Sequence, residues 1–202
     1  MSAHKPTAIN AWTYAAQFYS GDPATSSDYN QIVNNLSLMY ARPYVTIANT
    51  VSQTLTTGAN VFTSGSPATI TNSPVSLAGS ITYASGTFTV PLTGLYRVTM
   101  SMSVASNATA AYFHMYAVCA GGTTANNHYF FTPRTTTVNG QITGSTGSFI
   151  VPMQAGGGTY PNTIQFLIGT SAGVSVQGVA LPIGNNTTFA QIEYLGASIG
   201  SI

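Results

Sequence analysis

The chain has 202 residues with only four Lys or Arg and three Asp or Glu, a net charge of +1 and a charged fraction of 3%, where an ordinary domain has about 25%. The four cations (Lys5, Arg42, Arg97, Arg134) are scattered, which argues against a nucleic-acid or anionic-lipid partner. No apolar run reaches the roughly 18 residues that a membrane-crossing helix needs.

Residues 1–24 carry little periodicity and end in the turn formers Gly21-Asp22-Pro23. They predict an extended arm with some order around Trp12 and Tyr14. At Thr25-Ser-Ser-Asp28 a hydroxyl cap and an acid mark a helix start. Tyr29, Ile32, Val33, Leu36, Met39 and Tyr40 then recur at helical spacing on one face. Arg42 suits the negative helix end and Pro43 stops the helix. The spacing predicts one amphipathic helix over 26–41, and residues 1–43 form an N-terminal anchor. No apolar h-region follows the first residues, so no signal peptide is expected and synthesis is expected in a cytosol.

From residue 44 to 202 the pattern is that of a β domain. Val, Ile, Thr, Phe and Tyr dominate, and Gly, Asn, Ser and Pro punctuate at roughly 8–12 residues. Strands are predicted over 44–49, 52–56, 68–71, 76–83, 86–90, 95–105, 111–119, 128–133, 137–151, 163–169, 174–180 and 188–195. The most informative is the one entered through Pro91-Leu-Thr-Gly94. Tyr96, Val98, Met100, Met102 and Val104 take one face, and Arg97, Thr99, Ser101 and Ser103 the other, as in a half-buried antiparallel strand. Gly94 can supply a positive φ at the turn. Cys119, the only cysteine, lies in an apolar run and reads as a buried small hydrophobe.

The pattern Phe88-x-x-Pro91-x-x-Gly94-x-Tyr96, followed by that alternating strand, resembles the central signature of the C1q/TNF-like jelly roll. The resemblance covers about residues 45–196. Supporting matches are Gly147-Ser-Phe-Ile-Val-Pro-Met-Gln-Ala-Gly156 and the closing strand Thr188-Phe-Ala-Gln-Ile-Glu-Tyr-Leu195. Gly157 stands where the family usually has an acid, and Gln191 where it often has Gly. The resemblance implies a mainly β, antiparallel jelly-roll sandwich that associates as a homotrimer. The first 45 residues resemble something different. A Trp, then Gly21-Asp-x-x-Thr25-x-x-Asp28-x-Asn30, a short helix and Ala41-Arg-Pro43 look like the head of small tailed-phage virion proteins.

Motifs for chemistry are weak. Gly169-Thr-Ser-Ala-Gly173 matches the nucleophile-elbow pattern, but a strand pattern follows where an elbow needs a helix. His4, His114 and His128 lack metal-ligand spacing, and one acid in the β domain, Glu193, cannot form a glycosidase pair. Glu193 is expected to partner Arg97 or Arg134. No catalytic residue, metal or cofactor is expected. The aromatics Tyr112, Phe113, Tyr116, Tyr129, Phe130 and Phe131 suggest either core packing or a trimer interface. The resulting expectation is a phage virion structural protein, most simply a trimeric capsid decoration protein on the head surface. Its partners would be its own copies and the major capsid protein or another virion protein. The alternative is a receptor- or glycan-binding knob of a minor tail or head fibre, meeting a host surface glycan.

Overall fold

A computed structural model describes residues 42–63, 67–71, 80–106, 110–123, 127–130, 135–138, 142–171, 174–176 and 188–196, together with Ser26, Tyr29, Asn30, Ile32, Val33 and Leu36. Those last six residues are helical, within the span predicted for the helix. Trp12, Tyr14, Met39 and Tyr40 lie outside the described residues, as does Phe131.

The strands run in chain order as β1 (Tyr44–Asn49), β2 (Gln53–Leu55), β3 (Pro67–Thr71), β4 (Thr82–Ala84), β5 (Thr87–Thr89), β6 (Gly94–Ser106), β7 (Ala110–Ala120), β8 (Asn127–Phe130), β9 (Thr135–Val138), β10 (Ile142–Met153), β11 (Thr163–Thr170), β12 (Val174–Val176) and β13 (Phe189–Gly196). They form two antiparallel sheets. In the first, β6 is the hub: β10 lies along one side of it, and β13 and β12 share the other. Beyond β13 come β1 and β3, and beyond β12 comes β2. The second runs β4-β5-β11-β7, with β8 and β9 both paired to the far side of β7.

Alternation decides which side chains enter the sandwich. Tyr96, Val98, Met100, Met102 and Val104 of β6 are all fully buried, as predicted. Ile192 and Tyr194 of β13 and Val45 and Ile47 of β1 extend that layer. Facing it are Phe113, Met115, Ala117 and Cys119 of β7 and Ile164, Phe166 and Ile168 of β11. Phe62, Phe166 and Phe88 interlock edge to face, with centroids 5.7 and 5.6 Å apart, a favoured aromatic geometry. Of the outward β6 residues Ser103 is the exception. It is buried, its N–H donating to Thr188 Oγ1 at 3.1 Å.

Gly94 has φ +156°, and a Cβ there would run into the Gly196 carbonyl and the Tyr194 ring. The turn glycine is therefore required by close approach as much as by its dihedral.

Three predicted boundaries change. The run 137–151 is two strands, not one: β9 belongs to the second sheet and β10 to the first. The Asn139-Gly140 pair between them is a turn signal that the apolar pattern overrode. The run predicted over 76–83 has Ser80 and Ile81 outside any strand. Between β4 and β5, Ser85 (φ 48°) and Gly86 (φ 81°) make a two-residue hairpin turn, so Gly86, predicted to start a strand, closes the hairpin instead.

Candidate binding surfaces

Two faces and one helix present the outward side chains. On the outer face of the first sheet, register places Ile150 beside Arg97, Arg97 beside Glu193, and Glu193 beside Tyr44. The next row along is Ser148, Thr99, Gln191 and Thr46. Thr146 Oγ1 donates to Ser101 Oγ at 2.9 Å. Ile150 is 56% exposed. The ion pair Arg97–Glu193, 3.4 Å apart, supplies the charge among the described residues of this face, which otherwise carries hydroxyls, an amide, Tyr44 and Ile150. It is the partnership predicted for Glu193, made across strands. Both side chains are solvated, so Arg97→Ala or Glu193→Ala is expected to cost at most about 1 kcal/mol. Urea denaturation with and without salt checks this; a loss several times larger would mean that the pair is buried in an assembly.

On the outer face of the second sheet, β7 turns Tyr112, His114, Tyr116 and Val118 outward while Phe113, Met115, Ala117 and Cys119 point in. Tyr112 is 37% exposed, and His114 and Tyr116 are half-buried. The His114 and Tyr116 rings lie 5.7 Å apart and are tilted by 31°. Gly169 of β11 sits opposite His114, and a Cβ there would strike the imidazole. The ring can lie down on the sheet because β11 has no side chain at that point. Gln165 and Leu167 flank the stripe on β11, and Gln165 Nε2 donates to Thr87 Oγ1 at 2.9 Å.

The predicted aromatic cluster therefore divides. Tyr112 and Tyr116 are on the outer face, whereas Phe113 is fully buried and cannot serve an interface. Two successive residues on a strand face opposite ways, which is why Tyr112 and Phe113 part company. Tyr129 packs inward and stacks on Phe149 of the other sheet at 4.3 Å and 6°. Phe130 sits in β8 opposite Tyr116. Sequence reading missed His114 as a member of the stripe, and Gly169 and Gln165 as its neighbours. The alternation through 111–120 is the signal that finds His114; nothing local announces the other two.

On the helix, Tyr29 (68%), Ile32 (37%) and Leu36 (45%) are exposed, and Val33 is half-buried. An apolar stripe normally faces a core. Among the described residues none covers it.

The chemical groups singled out earlier fall elsewhere. Ser171 is tied to β7, its N–H donating to Tyr112 O and its Oγ accepting from Tyr112 N, each at 3.1 Å. Cys119 is buried and free, and burial pushes its thiol up to about 12. Among the described residues no group of three His, Cys, Asp or Glu gathers in a metal-like cluster.

These two layers, with a hub strand bordered by β10 on one side and β13 on the other, define a C1q/TNF-like jelly-roll β sandwich. No family model matches the chain, and no curated protein matches it in sequence. Among solved structures it is similar to the Eiger TNF of S. frugiperda, with a TM-score of 0.53 and 9% identity, over 80% of this chain and 98% of that one. A xylan-binding CBM22 domain from Paenibacillus barcinonensis aligns at a TM-score of 0.33 and 6% identity, over 52% of this chain and 57% of that one. The first likeness shows the fold.

Proposed function

We propose that this chain is a structural protein of a phage particle, a trimeric jelly roll held on the head surface by its N-terminal helix. The observation that carries the reading is the apolar stripe Tyr29, Ile32 and Leu36, which no described residue covers. The N-terminal likeness to phage virion proteins gives the stripe its partner: the major capsid protein or another virion protein. Burying three such side chains yields about 5 kcal/mol per helix, and a trimer multiplies this through effective concentration. The charge-poor outer face of the first sheet suits self-association for the same reason.

Attachment of this kind is insensitive to salt, because it uses almost no charge. Particles carrying the protein are expected to keep it in molar NaCl at neutral pH. Substituting Ile32→Asp together with Leu36→Asp, or removing residues 1–43, is expected to leave a soluble trimeric β domain that no longer joins the particle. Release in salt, unimpaired attachment of the double variant, or an unfolded truncated chain each count against the proposal.

A second reading is a receptor- or glycan-binding knob on a head or tail fibre. The outward stripe Tyr112, His114 and Tyr116 favours it. Copy number separates the two: hundreds of copies on the head for decoration, three to a few dozen for a fibre.

A further inference from the structure

We propose that β10 is a docking edge for a second copy of this chain, the two β10 strands pairing antiparallel about a two-fold axis. The inference is independent of how the protein is attached to a particle.

β10 is a long edge of the first sheet. It runs for 12 residues, about twice the usual strand length. It pairs with β6 in unbroken register from Ile142 opposite Ala105 to Met153 opposite Gly94, and with no other described strand. An edge of this length is ordinarily blunted by a charge, a bulge or a proline. β10 carries no charged residue and no bulge, and its proline, Pro152, lies at the end of the strand.

Hydrogen-bond parity shows which backbone groups are open. Ser103 N–H points towards β13, donating to Thr188 Oγ1 just ahead of that strand. N–H groups alternate sides along a strand, so the even-numbered residues of β6 point at β10. Their partners are the odd-numbered residues of β10. The even-numbered residues of β10 therefore turn N–H and C=O away from β6. Pro152 obeys the same parity, its missing N–H falling on the open side. Gly144, Thr146, Ser148 and Ile150 keep donor and acceptor there, and no described residue pairs with them on that side. All four are exposed.

This run is complementary to itself. A two-fold axis at Gly147 sets Gly144 opposite the partner's Ile150 and Thr146 opposite the partner's Ser148. Each pair occurs twice, for about eight main-chain hydrogen bonds. Ile150, 56% exposed, then covers the bare backbone at the partner's Gly144. The monomer itself does not require that glycine: its φ is not positive, and a Cβ there would meet Ser103 Oγ at an ordinary 3.9 Å. Shifting the register by two residues one way sets Gly144 opposite Pro152, which has no N–H to give. Shifting it the other way sets Gly144 opposite Ser148 and leaves Ile150 without its glycine. Self-complementarity commits the edge to a second copy and not to a foreign strand.

The test is sedimentation of the full-length protein over a concentration series. The unmodified protein is expected to double its mass with concentration, starting from whichever unit its other contacts build. Ser148→Pro removes an N–H that β6 does not use, and should hold the protein at the undoubled mass. Gly144→Val should weaken doubling about ten-fold, because the partner's Ile150 loses its place. Adding Ile150→Gly to Gly144→Val exchanges knob and hole, and should recover the doubling. Amides of Gly144, Thr146, Ser148 and Ile150 should become protected from exchange as the mass doubles. Circular dichroism certifies each fold, and the Gly144→Val variants carry the test if Ser148→Pro unfolds. An unmodified protein that never doubles leaves the edge to a foreign strand and overturns the proposal. Doubling that is unchanged in Ser148→Pro and Gly144→Val puts the contact elsewhere and also overturns it. A fall from trimer to monomer in Ser148→Pro makes the edge part of a three-fold contact and does the same.

Discussion

Raising the pH from about 8 to about 11 is expected to destabilise the β domain strongly. Three buried groups set the alkaline limit. Burial pushes the Cys119 thiol up from 9.0 to about 12. It pushes the Tyr194 phenol up from 10.0 to about 12, Arg42 offsetting part of the rise. Tyr96 is raised furthest, by burial first, against the hydrogen bond to Leu92 and aided by Tyr194. Each group keeps its proton in the folded chain at a pH where the unfolded chain has lost it. Stability is therefore intact below about pH 9 and falls as the pH rises towards the raised values. At about pH 11 Cys119 and Tyr96 together withdraw about 4 kcal/mol, a large part of the stability of a typical domain, and the more solvated Tyr194 adds a smaller share. Urea midpoints measured from acid to alkali check this, and Cys119→Val should move the onset up by about one pH unit. A midpoint at about pH 11 equal to that at neutrality would overturn the assignment.

The second large effect is expected at Tyr96. Its ring is fully buried and packs against Tyr194 with centroids 5.2 Å apart. Its hydroxyl donates to Leu92 O at 2.8 Å and accepts from Leu92 N at 3.3 Å. Leu92 is itself fully buried, so no water can replace that hydroxyl. Tyr96→Ala should cost about 3–5 kcal/mol by opening a cavity in the hub strand. Tyr96→Phe keeps the ring but strands both Leu92 groups, for about 1–3 kcal/mol. Tyr194→Phe is the contrast. Its hydroxyl donates to the carbonyl of exposed Thr93 at 3.3 Å, which water can reach, so its loss should stay under about 1 kcal/mol. Chemical denaturation should rank the variants in that order, and a Tyr96→Phe protein as stable as the parent would show that the Leu92 bonds contribute nothing.

The hub strand was legible because every second residue from Tyr96 to Val104 is apolar, and the pleat admits one reading of that pattern. The same rule at 111–120 separates Tyr112 from Phe113 and joins His114 to the tyrosines. Strand partners were not legible. β6 pairs with β10, β12 and β13, all of them far along the chain, and pairing at that range leaves no local trace. Gly169 shows the limit most plainly. Its role is defined by an imidazole 55 positions away (169 − 114) on the neighbouring strand, and in sequence it reads as one more turn glycine.

The position of β13 has a consequence for how the protein is made. It inserts between β1 and β6, its partners on either side, yet it is the latest of the described strands in the chain. While the ribosome is still working through the preceding 188 residues, β1 and β6 stand apart with facing edges unpaired. The first sheet can close only after Phe189–Gly196 has emerged. Folding is thus held back until that strand has been synthesised, and a polypeptide interrupted anywhere upstream keeps two open strand edges for chaperones and proteases to find. Only chains translated through β13 can complete the first sheet.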